Sequence, residues 1–533
     1  MSTQRLSVER PAVRSRVGPG VRLAFAGAVA VGAALAVGEL LGGVLPGVPS
    51  PLLGVAQFFV DYQPPGVKQL VVDLFGTADK LVFQLFIVFV GLGIGAALGR
   101  LSPKSPDLAA TVLVGFTAAG FAASLREPDA SVALSAGAAG AEAILGIWVL
   151  RRLVAIADVS AAGAAVAGRD ARGMPDWSRR SLLQSGGAIA IGSVVAGVVG
   201  RLLLEKRRAP ATAVGIPIAP IPPTLPAGAD LATTDLTSAG LTPIVVPNPD
   251  FYRIDKAFIP PTVDRDSWHL TVKGLVDHEV TLSYAELVAL PIVEQYVTIA
   301  CVSNFVGGDL VGNAKWTGVN LRDVLAMAGV QGSADQLVGR SVDDFTAGMP
   351  IEWVMDESRI PMIAVAMNDA PLPREHGYPA RLIVPGLYGY VSATKWLAEL
   401  ELTRFDQFQA YWVPLGWAAR APILTQSRID VPRDGASVAA GHVAVAGVAW
   451  APDRGISGVE LKVDDGAWTP ARISAPISKA TWVQWLLDWT ATSGPHDLEV
   501  RAIDGTGEVQ TDQHSEPAPD GARGHHVIGV NVT

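Results

Sequence analysis

One cysteine, Cys301, serves a chain of 533 residues. An intramolecular disulfide, a zinc site built on cysteines and a cysteine-ligated iron–sulfur cluster are thereby excluded. Histidine is scarce too: there are eight, all at position 269 or later, and the only methionines before residue 300 are Met1 and Met174. A membrane haem needs axial His or Met, so the N-terminal region cannot hold a bis-histidine haem. Charge is also sparse, at 17% of residues with a net charge of −9. That balance argues against nucleic acid as a partner, because phosphate binding needs a basic surface.

Apolar residues are abundant, at 50% of the chain. They are unevenly spread. Residues 20–205 are dominated by Ala, Gly, Val and Leu, whereas 210–533 read as globular protein rich in Trp, Asp and Pro. Five apolar stretches, near 22–44, 81–98, 108–125, 131–150 and 183–204, approach the roughly 20 residues that a helix needs to cross a bilayer. The second and third are short and leave a re-entrant hairpin open. Arg5, Arg10, Arg14, Arg16 and Arg22 precede the first stretch; Arg100 and Lys104 follow the second; Arg151, Arg152, Arg169, Arg172, Arg179 and Arg180 follow the fourth. With five spans all three groups fall on one side, which the positive-inside rule makes cytoplasmic. Residues after about 205 are then expected outside the plasma membrane, with Lys206, Arg207 and Arg208 falling against the rule. Ser178-Arg179-Arg180-Ser181-Leu182-Leu183-Gln184 resembles a twin-arginine export signal placed internally, although paired arginines also anchor helix ends. Glu39 and Glu142 are the main ionisable groups within the stretches. So few favour a lipid anchor over a transport pathway.

Residues 209–249 form a tract with Pro217, Pro220, Pro222, Pro223 and Pro226, expected to be an extended, semi-rigid spacer. Short strands and helices follow. Trp268–Gly274 alternates as a strand, Ser283 with Glu286 forms a capping box for a helix ending near Leu290, Gln295–Cys301 is a strand, Leu321–Ala328 a helix and Ala380–Pro385 a buried strand. The mix is α+β, without regular βαβ alternation. From about 430 strands recur at near-regular spacing, with Asp464-Asp465-Gly466 as a hairpin signal. This pattern predicts an immunoglobulin-like β-sandwich without a disulfide. Trp450, Trp468, Trp482, Trp485 and Trp489 are either a sugar-binding surface or, as is commoner at strand spacing, core and interface. The expected organisation is therefore multidomain: an all-α membrane bundle over 1–208, a linker over 209–249, an α+β domain over 250–428 and a sandwich over 429–533.

A lone cysteine is usually a small buried hydrophobe. Cys301, however, ends a strand and is followed by Val302-Ser303-Asn304 and the turn residues Gly307-Gly308. A single thiolate suits a soft metal that brings its other ligands with it. Downstream, Arg381 and Lys395 flank a glycine-rich, hydroxyl-bearing loop. A guanidinium, an ammonium and free backbone N–H groups make suitable chemistry for an anionic phosphate. Read singly, either residue could equally be a structural ion-pair partner or a solvated surface charge.

Cys301 with Asn304 and Trp316-Thr317-Gly318-Val319, then His376-Gly377-Tyr378-Pro379-Ala380-Arg381, then Ser392–Trp396 occur in that order. Together these blocks resemble the sulfite oxidase family of molybdopterin enzymes, closest to its bacterial branch that includes periplasmic methionine sulfoxide reductases. The resemblance covers about 245–428, and the sandwich is similar to the family's dimerisation domain, implying a homodimer. It implies a Mo-molybdopterin cofactor with Cys301 as the metal ligand. His376, Arg381 and the loop Ser392, Ala393, Thr394 and Lys395 would contact the pterin or its phosphate. Tyr252 and Arg253 would belong to an early pterin-binding segment. Ser341 would stand where the bacterial branch has a pterin-contacting threonine, and Tyr411 would be the catalytic tyrosine of the substrate pocket.

The departures bear on the substrate. Phe305 stands where sulfite oxidases carry an arginine that helps bind an anionic substrate, the Ser392–Lys395 loop has one extra residue, and Gln409 and Ala410 replace arginines beside the tyrosine. The expectation is a membrane-anchored molybdenum oxidoreductase transferring an oxygen atom to or from a small S- or N-containing substrate. No haem is expected in this chain, so a separate electron-transfer partner is implied. The alternatives are sulfite oxidation proper and a non-catalytic membrane receptor or scaffold on the same fold.

Overall fold

The computed structural model describes residues 19–62, 79–127, 130–166, 176–208, 225–231, 240–257 and 260–533. Arg5, Arg10, Arg14, Arg16, Arg169, Arg172 and the linker prolines Pro217, Pro220, Pro222 and Pro223 lie outside the described residues. The chain divides into two compact units, Met1–Ala209 and Pro210–Thr533.

The first unit is helical: α1 (Pro19–Val44), α2 (Pro51–Tyr62), α3 (Asp79–Leu101), α4 (Pro106–Ser124), α5 (Val132–Val166) and α6 (Asp176–Arg208). Five of these are long and apolar enough to cross a membrane; α2 is shorter. Both short stretches of the sequence prove to be continuous helices, of 23 and 19 residues. The paired arginines 179 and 180 fall within α6. Central α1 packs against α3, α5 and α6. It can do so closely because glycines face each other: a Cβ on Gly27 would strike the Gly95 carbonyl and one on Gly43 the Gly200 carbonyl. Small residues at such crossings are how apolar helices approach without a hydrophobic drive between them. The outer surface is apolar, with Phe89, Ile144, Trp148 and Ile191 more than half exposed.

Among its described residues the second unit begins with ten strands: β1 (His269–Gly274), β2 (Val280–Ser283), β3 (Ile292–Ala300), β4 (Val311–Asn320), β5 (Gln336–Ser341), β6 (Thr346–Pro350), β7 (Met362–Met367), β8 (Ala370–Pro371), β9 (Arg381–Ile383) and β10 (Leu397–Thr403). One sheet has the order β2-β1-β10-β5-β6 and another β3-β4-β7-β8, with β9 on β7. The helices between them are α7 (Tyr284–Val288), α8 (Leu321–Ala328), α9 (Ile351–Met355) and α10 (Gly389–Ser392). Local chemistry sets their ends. Ser283 and Glu286 make the capping box of α7, and the Asn320 side chain accepts from the Arg322 N–H to cap α8. In α8, Leu321, Val324, Leu325 and Ala328 are buried, the stripe an amphipathic helix offers a sheet. Trp316, Val297 and Leu382 belong to the same buried core. Each large apolar side chain buried there contributes roughly 1.5–3 kcal/mol.

Nine further strands follow: β11 (Gln426–Val431), β12 (Ala436–Val438), β13 (Gly441–Trp450), β14 (Ile456–Val463), β15 (Thr469–Pro470), β16 (Arg472–Ile473), β17 (Val483–Ala491), β18 (Gly494–Asp504) and β19 (His526–Val532). They form two sheets, β11-β13-β17-β16 and β12-β19-β18-β14-β15, around a core that includes Val445, Leu461, Trp485 and Val500. Asp464, at φ 50°, turns the chain from β14 toward β15, at the predicted hairpin. Trp450, Trp482 and Trp485 are almost wholly buried. They are packing residues and unavailable to a sugar.

Candidate active site

β3 and β4 pair antiparallel with Ala300 opposite Val311, so residues 301–310 form the loop at their end. Cys301 is its first residue. Its N–H donates to the Leu310 carbonyl (2.9 Å), the Asn304 N–H donates to the Cys301 carbonyl (3.1 Å), and the Asn304 side-chain oxygen accepts from the Leu310 N–H (2.8 Å). Asn304 therefore closes the loop that presents the thiol.

Cys301, 8% exposed, lines a cleft enclosing about 660 Å³ of space including its open mouth. The cleft gathers segments distant in sequence. Tyr252, Asp255 and Lys256 come from the segment before β1, Ser341, Asp343 and Phe345 from the β5–β6 region, and Arg381 from β9. Gly389 and Tyr390 lie in α10, Ala393, Lys395 and Trp396 follow it, and Trp412 completes the wall. Gly377, at φ +112°, lets the His376 turn press on the loop, since a Cβ there would sit 2.9 Å from the Lys395 Cα.

Three cations line the cleft (Lys256, Arg381, Lys395) against two carboxylates (Asp255, Asp343). Lys395 pairs with Asp255 and donates to the Glu375 carbonyl at 2.9 Å. Burial holds its amine down to about 8, against the pull of Asp255. Arg381 stacks over Trp316 with its guanidinium carbon 5.1 Å from the ring centroid, and Nη1 donates to the His376 carbonyl at 3.3 Å. Its Nε is buried without a partner among the described residues, and burial lowers its pKa to about 10. His376 is held down to about 4, first by burial and then by Arg381 and Lys395, so it is neutral. Its Nε2 lies 3.0 Å from the Asn248 carbonyl, which makes Nε2 the donor. Nδ1 is then an acceptor, buried and without a hydrogen-bond partner among the described residues. Tyr252 is pushed up by burial and next by Cys301, and it keeps its phenolic proton.

Of the residues named from the sequence, Cys301, Tyr252, Ser341, Arg381, Ala393 and Lys395 line one cleft, whereas His376 is buried without lining it. The others stand differently. Arg253 points outward, its side chain 43% exposed and its Nε 3.5 Å from Asp255 Oδ2. Ser392 gives its hydroxyl to the Leu387 and Tyr388 carbonyls, both at 3.0 Å, and Thr394 donates to the Gly339 carbonyl at 3.4 Å. Their hydroxyls hold the loop in place, while Ala393 and Lys395 line the cleft. Tyr411 is not among the lining residues: its ring meets Phe345 at a tilt and Trp412 edge-on, with Lys256 Nζ 5.3 Å from its centroid, whereas Trp412 does line the cleft. Asp255, Lys256, Asp343 and Trp412 were not singled out in sequence. Asp255 lies 140 residues from Lys395, so no local pattern marks the pair. The charged run Arg253-Ile254-Asp255-Lys256 directly after Tyr252 is the one available signal.

Residues 257–412 match the sequence model of a family described as the oxidoreductase molybdopterin binding domain. An uncharacterized oxidoreductase of Bacillus subtilis, YuiH, is 33% identical over 162 residues, covering 30% of this chain and 78% of that protein. The chain belongs to the sulfite oxidase family of molybdopterin-dependent oxidoreductases. Human mitochondrial sulfite oxidase is 28% identical over 316 residues, covering 50% of this chain and 57% of that protein. The chain thus spans little more than half the length of its mammalian relatives. The crystal structure of the sulfane dehydrogenase SoxCD from Paracoccus pantotrophus matches with a TM-score of 0.45 and 21% identity, over 56% of this chain and 86% of that one.

The donor set fits the family's cofactor. Among the described residues the buried Nε of Arg381 has no partner, cations outnumber carboxylates along the cleft, and the lone thiol lines the same space. An anionic, phosphate-bearing group with a soft metal would meet all three features.

Proposed function

We propose that this protein is a membrane-anchored molybdopterin oxidoreductase that moves an oxygen atom to or from a small S- or N-containing substrate outside the cytoplasm. The observation that carries the reading is that Cys301 lies in one cationic cleft with Arg381 and Lys395. Cys301 would hold the metal. Arg381, Lys395, His376, Tyr252 and Ser341 would hold the pterin and its phosphate, with the backbone of the Ser392–Lys395 loop. The bound cofactor supplies the two-electron chemistry, and the protein supplies binding and orientation. Arg381 and Lys395 bring positive charge that burial leaves poorly solvated, so an anion is favoured there. Tyr252, protonated, donates from Oη; His376 accepts at Nδ1. Phe345, Tyr390 and Trp412 narrow the cleft with aromatic surface. With Phe305 in place of a substrate-binding arginine, these walls favour a neutral oxide over a small anion such as sulfite.

The five long apolar helices and the arginine asymmetry support a multi-pass anchor with a cytoplasmic N-terminus. The internal twin-arginine stretch is consistent with export after cofactor loading. Electrons would come from or go to a separate partner. The two C-terminal sheets are read as an Ig-like sandwich that pairs two copies of the chain. Elemental analysis of full-length protein from molybdenum-replete cells, followed by a screen of sulfite against S- and N-oxides, tests the reading. Bound molybdenum with turnover of an oxide is expected. Protein free of molybdenum would favour the scaffold alternative, and turnover confined to sulfite would favour sulfite oxidation proper and overturn the preference for an oxide.

A further inference from the structure

Two carboxyls are buried in the helical unit. Glu39 on α1 is 8% exposed and Glu142 on α5 is 4% exposed, and the Glu142 carboxyl reaches α1 at Gly38, the residue before Glu39. Their surroundings differ. Glu39 Oε1 accepts from the Ser50 hydroxyl (2.5 Å) and from the Leu52 N–H (3.3 Å). Glu142 has no hydrogen bond or ion pair among the described residues. Its side chain lines a cavity of about 10 Å³ shared with Ser124 and Ser135, the space that a single water-sized ligand occupies.

The sequence builds this cavity by spacing. Ser135, Ala138, Ala139 and Glu142 recur at helical intervals on one face of α5 and all line it. The rest of the lining is Val48, Pro49, Pro51, Phe121 and Ser124. Gly38 leaves the space that the Glu142 carboxyl enters: a Cβ there would lie 2.5 Å from Oε1. The hydroxyls are already committed as donors, Ser124 to the Phe121 carbonyl (2.9 Å) and Ser135 to the Gly47 carbonyl (3.4 Å). They therefore offer the cavity lone pairs and no proton.

An unpaired carboxylate beside a second one in an apolar interior is costly without a compensating positive charge. Among the described residues no Lys or Arg lines the cavity, and the neighbouring hydroxyls act as acceptors. We infer that Glu142, with Glu39 beside it, forms a site inside the helical unit for one small monovalent cation, either a proton or Na⁺. Oxygen ligands alone suit a hard cation of that kind. The inference rests on the reading of these helices as membrane spans. Retention of the protein in carbonate-washed membranes tests that reading separately.

The test uses full-length protein in membranes treated with dicyclohexylcarbodiimide, which modifies protonated carboxyls in apolar surroundings, with labelled peptides mapped by mass spectrometry. Labelling of Glu142 in choline chloride is expected. Protection by NaCl identifies Na⁺ as the occupant, and labelling unaffected by NaCl identifies the proton. Infrared difference spectra of wild type against Glu142→Gln give a second readout, since a protonated-carboxyl stretch should vanish in the variant. The stretch should be present without Na⁺, and Na⁺ should remove it only if Na⁺ binds. Neither label nor stretch at Glu142, in protein retained by the membranes, would overturn the site. Labelling of Glu39 instead would overturn its assignment to Glu142.

Discussion

Arg428, on the first strand of the C-terminal sheets, donates from Nη1 to the Gly308 carbonyl at 2.9 Å, within the loop that starts at Cys301. Its Nη2 reaches Thr242 Oγ1 at 2.9 Å and its Nε reaches Asp430 at 2.6 Å. Beside it, the Ile429 N–H donates to His526 Nδ1 at 3.0 Å, and the His526 ring packs on Gly307. The C-terminal sheets thus brace the loop that carries the thiol. Arg428→Ala removes one partner of a buried ion pair and should cost about 3 kcal/mol in chemical denaturation. Because Cys301 is the single cysteine, its alkylation rate in cofactor-free protein reports the loop directly. A several-fold faster rate is expected in Arg428→Ala, with partial return in Arg428→Lys.

Asp255 is the buried counter-charge of Lys395, its side chain 1% exposed. Asp255→Asn strands the ammonium and should destabilise the protein by about 3–5 kcal/mol. The double variant Asp255→Asn/Lys395→Met should recover part of that loss. A denaturation cycle over the four proteins measures the coupling.

Lys395 gives the site a pH dependence with a defined sign. Burial lowers its folded-state value to about 8 from an ordinary 10.5. Between those values the unfolded chain binds more protons than the folded one, so this residue's contribution to stability rises with pH from about 8 to 10.5. Anion binding runs the other way, because the ammonium is lost as pH rises through about 8. Pyrophosphate affinity of cofactor-free protein, measured by calorimetry, should fall above that pH. Lys395→Met should bind weakly and without that step.

Gly377 permits the contact between the His376 turn and Lys395. Gly377→Ala meets both a left-handed backbone and the Lys395 Cα. It should cost more than the roughly 1–3 kcal/mol of backbone strain alone and lower cofactor content, whereas Gly416→Ala, also left-handed at φ +100° but with open space around it, should cost that strain only. Thermal melts and pterin fluorescence of released cofactor compare the two.

Much of this was legible in sequence because it is local. The apolar stretches, the Ser283–Glu286 capping box and the helix Leu321–Ala328 each follow from periodicity and end chemistry within a few residues. Cys301 at a strand exit is likewise local, and resemblance supplied its company. What was not legible depends on residues that meet only in the folded chain. Asp255 finds Lys395 across 140 residues, and Arg428 finds the Cys301 loop across 120. Ser392 and Thr394 look like ligands in a hydroxyl-rich loop, yet neighbouring carbonyls take both hydroxyls. Tyr411 and Trp412 are adjacent in sequence, and only the local backbone turn decides which of them lines the cleft.

The most direct test of the central claim is the molybdenum and pterin content of full-length protein, wild type against Cys301→Ala, purified from the same molybdenum-replete host. Wild type should carry both. Cys301→Ala should lose molybdenum and turnover while circular dichroism and the melting curve change little, since a buried Cys-to-Ala change costs about 1 kcal/mol. Molybdenum retained with turnover in Cys301→Ala would contradict the account.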